Sequence, residues 1–274
     1  MVRDTNRRSL LGRAAALTAM GALAGSALVR SKAQAQSTTA PGTNGVKALV
    51  FDVFGTVVDW RGGVAREAEA ILKPRGYALD WVAFADAWRA LYQPAMEGVR
   101  SGQMPFVKLD VLHRRMLEQI RPRFGLEKLD EPVLQELNLV WHRLDAWKDV
   151  GPGFARLHRR YVMAPCSNGN IALMVDVGRR NNLPWDAILG SEIARDYKPK
   201  PRVYLSAAEA LGLRPEEVMM VAAHSDDLRS AASNGLRTAH VARPQESPTG
   251  EAGPKGTVDF AARDFSDLAD KIAS

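Results

Sequence analysis

The stretch that decides the fold is Lys47-Ala48-Leu49-Val50-Phe51-Asp52-Val53-Phe54-Gly55-Thr56-Val57-Val58-Asp59-Trp60. Its apolar run, Ala48 to Phe51, predicts a short buried strand that ends at Asp52, and Gly55 breaks the extended pattern soon afterwards. In an open parallel sheet, ligands bind beyond the carboxyl ends of the strands, so the Asp52 carboxylate is expected to project into that crevice. A carboxylate there can attack a substrate, form an ester with it and be regenerated by water.

The residue two places after Asp52 indicates which leaving group the site suits. Phosphatases with the pattern Asp-x-Asp-x-Thr use the second Asp as the acid that protonates the leaving oxygen, and this chain has Phe54 at that place. A halide leaves as a stable anion and needs no proton. Phe54 therefore favours cleavage of a carbon–halogen bond over hydrolysis of a phosphate ester.

The rest of the chain divides into a helical stretch and a stretch of alternating strands and helices. From Arg61 to Asp149, apolar residues recur at three- and four-residue spacing, which predicts helices, among them one from Trp81 to Gly98. From Gly151 onwards, strands are predicted at 161–166, 187–189, 218–222, 238–242 and 258–260, with a last helix at 265–272. This order predicts an α/β fold with a doubly wound parallel sheet and a helical insertion after its first strand.

Composition and charge describe a globular chain that has no special affinity for nucleic acid. Of the 274 residues, 46% are hydrophobic and 25% are charged, which allows a sizeable core. The net charge is +6, but the first 35 residues contain six basic side chains against Asp4 alone. The remainder is nearly neutral, so nucleic acid is not an expected partner.

The first residues form a targeting segment. Asn6-Arg7-Arg8-Ser9-Leu10-Leu11 has the twin-arginine pattern, a mild apolar stretch follows at 14–29, and Ala33-Gln34-Ala35 offers a small-x-small cleavage site. The alternative is a membrane anchor, which needs ~20 strongly apolar residues, whereas this stretch is short and rich in Ala and Gly. We therefore expect a signal peptide at 1–35, a linker at 36–45, and a periplasmic protein that keeps no stable membrane association.

Cys166 is the only cysteine, so neither an intrachain disulfide nor a thiolate metal cluster can form. It ends an apolar strand. This position predicts a small buried side chain and not a reactive thiol.

Polar motifs lie at four places where a doubly wound sheet would gather an active site. In chain order they are Asp52 with Thr56, then Ser167-Asn168-Gly169-Asn170, then Tyr197-Lys198-Pro199-Lys200-Pro201-Arg202-Val203-Tyr204, and then Ala222-Ala223-His224-Ser225-Asp226-Asp227. Each motif alone is common in loops. Their joint occurrence in this order is a specific indication of one active site.

In these motifs the chain resembles the haloacid dehalogenase-like superfamily, and within it the type II L-2-haloacid dehalogenases. The resemblance runs from about Val46 to the C-terminus and rests on Asp-x-Phe-Gly-Thr, Ser-Asn-Gly and Tyr-Lys-Pro-x-x-Arg-Val-Tyr. It implies a Rossmann-like core at 46–60 and 150–274 with a helical cap at 61–149. It also implies hydrolysis of short 2-haloalkanoic acids to 2-hydroxy acids through an aspartyl ester, with inversion at C2 and without a metal or organic cofactor. The family includes dimers, so a homodimer is compatible with the resemblance.

The resemblance also implies a role for each motif residue. Asp52 would attack C2, Lys198 would keep Asp52 ionised, and Asp227 would lie near Lys198 and the hydrolytic water. Arg100 lies close to Arg89 in the sequence and is the alternative for the arginine that receives the halide. The residues expected to bind the substrate or the departing halide are Thr56, Arg89, Ser167, Asn168 and Tyr204.

The chain departs from the family at the fourth motif, where Ala222-Ala223-His224 replaces the pattern Ser-Ser-Asn. The Ser-to-Ala change removes a hydroxyl that could bind the substrate carboxylate. An imidazole with an ordinary pKa near ~6.5 could act as a general base, which an amide cannot do. The alternative is that His224 only caps the following helix. Trp60 could face either the substrate or the core, and the remaining histidines are expected to be structural or surface residues: His113, His142, His158 and His240.

Two other functions remain open from the residues. One is a phosphatase of the same superfamily, with Mg²⁺ held by Asp52, the carbonyl oxygen of Phe54, and Asp226 or Asp227. The other is an exported binding protein that has lost turnover, which the retention of the catalytic motifs disfavours.

Overall fold

The computed structural model describes Thr43 and residues 45–273. The predicted signal peptide and most of the predicted linker lie outside these residues. Within the described part of the chain, no helix is both long enough and apolar enough to cross a membrane.

A six-stranded parallel sheet forms the centre of the fold, with the strand order β3-β2-β1-β4-β5-β6. The strands are β1 Ala48–Phe51, β2 Val162–Ser167, β3 Leu189–Gly190, β4 Val218–Ala222, β5 Arg237–Val241 and β6 Phe260–Ala262. The chain runs from β1 to β2 on one side and later returns to place β4 on the other side. The order therefore reverses at β1, which is where open α/β sheets bind ligands.

The predicted doubly wound sheet is confirmed, and the two edge strands show the largest shifts from prediction. The third strand is expected at 187–189 and lies at Leu189–Gly190, and the last is expected at 258–260 and lies at Phe260–Ala262. Both edge strands are short, with two residues in β3 and three in β6, so they carry little apolar periodicity. The central strand β4 starts and ends where the sequence predicts.

Alternate residues of β1 pack on opposite faces of the sheet. Leu49 and Phe51 belong to a large apolar cluster that extends into the helical segment, while Ala48 and Val50 belong to a smaller cluster on the other face. This alternation follows from the two-residue period of a strand. Because both faces of β1 are buried, the strand consists of apolar residues only.

Helices alone follow β1 among the described residues up to Leu157, apart from isolated bridges. The α-helices are α1 Trp60–Leu72, α2 Trp81–Ala90, α3 Tyr92–Arg100, α4 Leu109–Ile120, α5 Glu131–Asn138 and α6 Val150–Leu157. Short 3-10 helices lie at Lys73–Arg75, Arg121–Phe124 and Leu139–His142. The side chains of Asp59, Asp80 and Asp130 cap α1, α2 and α5 by accepting a backbone N–H three residues on.

The single helix expected from Trp81 to Gly98 is in fact two helices, α2 and α3. Pro94 lies in the first turn of α3 and would clash with the carbonyl of Ala90 in a continuous helix. The chain therefore ends α2 at Ala90 and starts a new helix at Tyr92.

Further helices cover the faces of the sheet: α7 Ile171–Arg180, α8 Ser191–Ala194, α9 Pro201–Ala210, α10 Ser225–Ser233 and α11 Phe265–Ile272. The last helix agrees with its predicted bounds. Cys166 in β2 is fully buried, as predicted, and burial raises the pKa of its thiol to about 12.

Candidate active site

The carboxylate of Asp52 lies at the carboxyl end of β1 and is held in one orientation. Its Oδ1 accepts a hydrogen bond from Lys198 Nζ at 2.8 Å, and its Oδ2 accepts one from Thr56 Oγ1 at 2.8 Å. The Thr56 oxygen in turn accepts the backbone N–H of Ala223 at 2.8 Å, so the hydroxyl proton of Thr56 is directed at Asp52. Asp52 itself is only 7% exposed.

Lys198 is buried between two carboxylates. Its Nζ is 2.8 Å from Asp52 and 2.5 Å from Asp227. Burial by itself would lower the pKa of Lys198, but the two negative charges raise that pKa well above its usual value. Lys198 is therefore an ammonium ion at neutral pH.

The charges around Asp52 keep it ionised. Burial alone would raise the pKa of Asp52, but Lys198 and His224 outweigh burial and hold that pKa well below its usual range. The pKa of Asp227 shifts in the opposite direction. Burial is the largest effect and raises this pKa, and the nearby negative charge of Asp52 raises it further. Of the two carboxylates, Asp52 is thus the one that its surroundings hold in the ionised form.

Tyr204 and Lys198 fix the Asp227 carboxylate. The Tyr204 hydroxyl donates to Oδ1 of Asp227 at 2.7 Å, and Lys198 donates to Oδ2. Tyr204 is fully buried on α9, behind Asp227. Asp226 differs from its neighbour because its side chain is 91% exposed and pairs with Arg229 at 2.8 Å.

The loop after β2 is tied to the Lys198 loop through Asn168. The amide oxygen of Asn168 accepts from Ser191 Oγ and from the backbone N–H of Lys198, both at 2.9 Å. This leaves the amide nitrogen of Asn168 to donate. Ser167 is fully buried, and its Oγ accepts the backbone N–H of Gly169 at 3.0 Å, so its proton remains to donate.

His224 bridges two carboxylates, one at each ring nitrogen. Its Nδ1 is 3.0 Å from Asp52 Oδ2, and its Nε2 is 2.9 Å from Glu246 Oε2. Burial favours the neutral ring, but the two carboxylates outweigh it and raise the pKa of His224 to about 10. The ordinary imidazole expected from the sequence is therefore wrong for the free enzyme, in which His224 is an imidazolium at neutral pH. His224 is the N-cap residue that precedes α10, but its side chain makes no capping hydrogen bond.

Glu246 is the site residue that sequence reasoning missed. It lies in the loop after β5, is 5% exposed, and accepts from Trp60 Nε1 at 2.8 Å as well as contacting His224. Its carboxylate lies directly over Gly55, which has φ +86° and where an added Cβ would be 2.0 Å from Oε1. Only glycine allows this approach. No spacing in the sequence relates Glu246 to the four motifs.

Arg89 is the arginine that lies among aromatic rings next to the nucleophile loop. Its guanidinium carbon is 3.8 Å from the ring centroid of Tyr92, 5.1 Å from that of Trp60 and 5.9 Å from that of Phe54. The alternative, Arg100, binds a different part of the protein: its Nη1 donates to the backbone oxygen of Lys198 at 3.0 Å. Arg89 therefore lies against the ring of Phe54, whereas Arg100 is bonded to the loop that carries Lys198.

The side chains of this site do not form a ligand set for a divalent metal ion. Among the residues that the structure describes, no group of three or more His, Cys, Asp or Glu side chains is arranged to hold a metal ion. The carboxylates of Asp52 and Asp227 both bind the Lys198 ammonium, and Asp226 points to solvent.

Comparison with known proteins gives consistent matches over the described core. A family model for haloacid dehalogenase-like hydrolases matches residues 46–235. The chain is 28% identical over 223 residues to (S)-2-haloacid dehalogenase 1 of Pseudomonas sp. (strain CBS-3), covering 73% of this chain and 88% of that protein.

Two crystal structures show greater similarity. One, of a defluorinating L-2-haloacid dehalogenase, is 43% identical with a TM-score of 0.81 and covers 84% of this chain and 96% of that one. The other, of an L-2-haloacid dehalogenase, is 44% identical with a TM-score of 0.79 and covers 82% of this chain and 98% of that one.

Proposed function

This chain belongs to the haloacid dehalogenase-like hydrolase family, and from that premise we propose that it hydrolyses the carbon–halogen bond of short 2-haloalkanoic acids to give 2-hydroxy acids. The observation that carries the proposal is the pairing of an ionised Asp52 with a buried Phe54 two residues later. A nucleophile is present at this position, but the acid that an oxygen leaving group needs is not. The similarity to enzymes named L-2-haloacid dehalogenases supports the same reaction class.

In the first step an oxygen of Asp52 attacks C2 of the substrate from the side opposite the halogen. The new C–O bond forms as the carbon–halogen bond breaks, the electron pair leaves with the halide, and the configuration at C2 inverts. Thr56 and Lys198 orient the attacking carboxylate through bonds of 2.8 Å each. Arg89 offers its positive charge to the departing halide beside Phe54.

In the second step water attacks the carboxyl carbon of the Asp52 ester. Ester formation removes the negative charge of Asp52, which is one of the two charges that hold the pKa of His224 at about 10. The pKa of His224 therefore falls in the ester, and the neutral ring can take a proton from water while Glu246 holds Nε2. His224 releases its own proton to solvent when the ester forms, and the proton that it then takes from water is returned to the oxygen of the departing hydroxy acid. The second proton of the water, left on the Asp52 carboxyl group, passes to His224, which restores the imidazolium and regenerates the Asp52 carboxylate.

The direct test is to incubate the purified chain from residue 36 onwards with (S)-2-chloropropionate. We expect chloride and (R)-lactate in equal amounts, unchanged by EDTA, because Lys198 and not a metal ion neutralises Asp52. A phosphate monoester supplied in parallel should release no phosphate. Activity that EDTA abolishes and Mg²⁺ restores would transfer the chain to the phosphatase class.

We also propose that the protein is exported by the twin-arginine pathway, on the strength of Arg7-Arg8 and the segment that follows. Replacing both arginines by lysine should retain the precursor in the cytoplasm, because the pathway recognises the paired guanidinium groups. Cell fractionation followed by immunoblotting measures the distribution. The matched control replaces Arg13 and Arg30 by lysine. Periplasmic protein at unchanged levels in the Arg7 and Arg8 variant would contradict this proposal.

A further inference from the structure

Arg243 is a buried arginine in the loop after β5, and it belongs to none of the four polar motifs. Its Nε donates to the backbone oxygen of Thr56 at 2.9 Å, and its Nη2 donates to Asp149 Oδ2 at 2.9 Å. Arginine is almost never fully buried unless its charge is paired. One side chain thus joins the loop after β5 to the loop that follows Asp52 and to the start of α6.

Stability alone does not account for this buried ion pair. Taking both charges out of water offsets much of their attraction, and apolar residues of similar volume often replace such a pair without loss of stability. The Asp149 side chain makes no capping hydrogen bond to α6. Its Oδ2 instead accepts the backbone N–H of Phe265 at 2.8 Å in addition to the Arg243 guanidinium. What the pair provides is a fixed orientation, in which Asp149 holds one end of the planar guanidinium while Nε points at Thr56.

Thr56 connects Arg243 to the carboxylate of Asp52. The Thr56 hydroxyl donates to Asp52 Oδ2 and accepts the backbone N–H of Ala223, both at 2.8 Å, while the Thr56 carbonyl accepts from Arg243. Only one rotatable bond separates this hydroxyl from the backbone, and branching at Cβ restricts that bond. A shift of the Thr56 backbone would therefore move the hydroxyl away from Asp52.

The carbonyl of Gly55, one residue earlier, is held in a similar way. Trp147 Nε1 donates to it at 2.8 Å, and the guanidinium carbon of Arg243 lies 5.6 Å from the centroid of the Trp147 ring. Gly55 has φ +86°, so the chain turns at this point through a conformation that favours glycine. Two consecutive carbonyls of the turn after Asp52 are thus fixed by side chains from distant parts of the chain.

We propose that Arg243 is a positioning residue for the nucleophile: it holds the carbonyl of Thr56, and through Thr56 it fixes the direction of the Asp52 carboxylate. The inference rests on the proposed function, since attack of Asp52 on C2 is the step that it serves. A misplacement of ~1 Å at a reacting group can cost about 10²-fold in rate. A contact that fixes the backbone next to the nucleophile should therefore have a measurable effect on that step.

The first test measures halide release from (S)-2-chloropropionate in a single turnover, with enzyme in excess, which separates ester formation from ester hydrolysis. Arg243→Met keeps an unbranched side chain but removes every N–H group, and it should slow this step about 10²-fold. Arg243→Lys keeps the charge and can still donate to one partner, so it should slow the step less. The matched control is Arg237→Met, which removes an arginine paired with Asp259 at 2.9 Å at the other end of β5 and should change nothing.

A double-mutant cycle with Thr56→Val shows whether the effect of Arg243 passes through Thr56. Valine keeps the shape of threonine but has no hydroxyl. In a chain that already carries Thr56→Val, Arg243→Met should slow halide release by less than about threefold more, because the bond that it disturbs is already gone. A general loss of stability would slow the reaction equally in both backgrounds. Effects that multiply in the double variant, or a wild-type rate in Arg243→Met, would overturn the inference.

A crystal structure of the Arg243→Met variant gives a readout that needs no turnover. The distance from Thr56 Oγ1 to Asp52 Oδ2 is 2.8 Å with Arg243 in place and should exceed about 3.2 Å in the variant. An unchanged bond would overturn the positioning role even in an active dehalogenase. A lost bond, in a protein whose wild type releases no halide, would instead overturn the proposed function and leave the positioning of Asp52 standing. Circular dichroism confirms the fold of each variant, and Arg243→Lys replaces Arg243→Met in the cycle and the crystal if the latter does not fold.

Discussion

Asp52→Asn should lower the rate of halide release by about 10⁴-fold or more, because it removes the nucleophile and leaves only the orienting groups. The fold should survive, since Lys198 keeps Asp227 as a charged partner at 2.5 Å. Chloride release from (S)-2-chloropropionate measures the effect, and circular dichroism checks the fold. Asp226→Asn is the matched control, because its exposed carboxylate does not face the site and the rate should not change.

Isotope labelling decides whether Asp52 acts as a nucleophile or as a base. In a single turnover in H₂¹⁸O with enzyme in excess, ¹⁸O should enter the side chain of Asp52, and the first hydroxy acid released should carry unlabelled oxygen from that side chain. Mass spectrometry of the peptide and of the product measures both. Label found directly in the hydroxy acid, with unlabelled Asp52, would mean that water attacks C2 and that no ester forms.

His224→Asn should slow hydrolysis of the ester by about 10²–10⁴-fold while affecting its formation much less. An amide can position water but cannot take its proton. A burst of halide equal to the enzyme concentration should then precede a slow steady state, and rapid quench followed by intact-mass measurement should show the ester on Asp52. Equal loss in both steps, or no loss, would mean that His224 only positions other groups.

The pH dependence tests the partnership of His224 with Glu246. In the free enzyme the pKa of His224 is about 10, and loss of the Asp52 charge in the ester lowers that pKa. Ester hydrolysis should therefore become faster as pH rises and the ring loses its proton. Glu246→Gln removes the remaining negative partner and should move the midpoint of this rise to lower pH. Glu209→Gln, an exposed change on α9, is the control. A midpoint that does not move would exclude Glu246 as the partner that sets this pKa.

Particular residues show how far sequence reasoning reaches. The position of Asp52 follows from four apolar residues and a break, and the order of the four polar motifs predicts which side chains share one edge of the sheet. The structure brings Asp52, Thr56, Lys198 and Asp227 into a chain of bonds between 2.5 and 2.8 Å. The resemblance assigned the place near Lys198 to Asp227, whereas the residues alone left Asp226 or Asp227 open as a metal ligand. Their directions differ because successive residues of a helix point to different sides.

The sequence by itself determined the α/β class, the place of Asp52 at the end of the first strand and the presence of Phe54 where phosphatases have an acid. Strand and helix periods and local order are properties of neighbouring residues. Only the tertiary structure decided the charge of His224. Its two carboxylate partners lie 172 and 22 residues away along the chain, and no local pattern brings them together. The same holds for Glu246, which no spacing in the sequence relates to the site. A pKa or an unmet hydrogen bond depends on which groups lie within a few ångströms, and that is fixed only when distant segments pack.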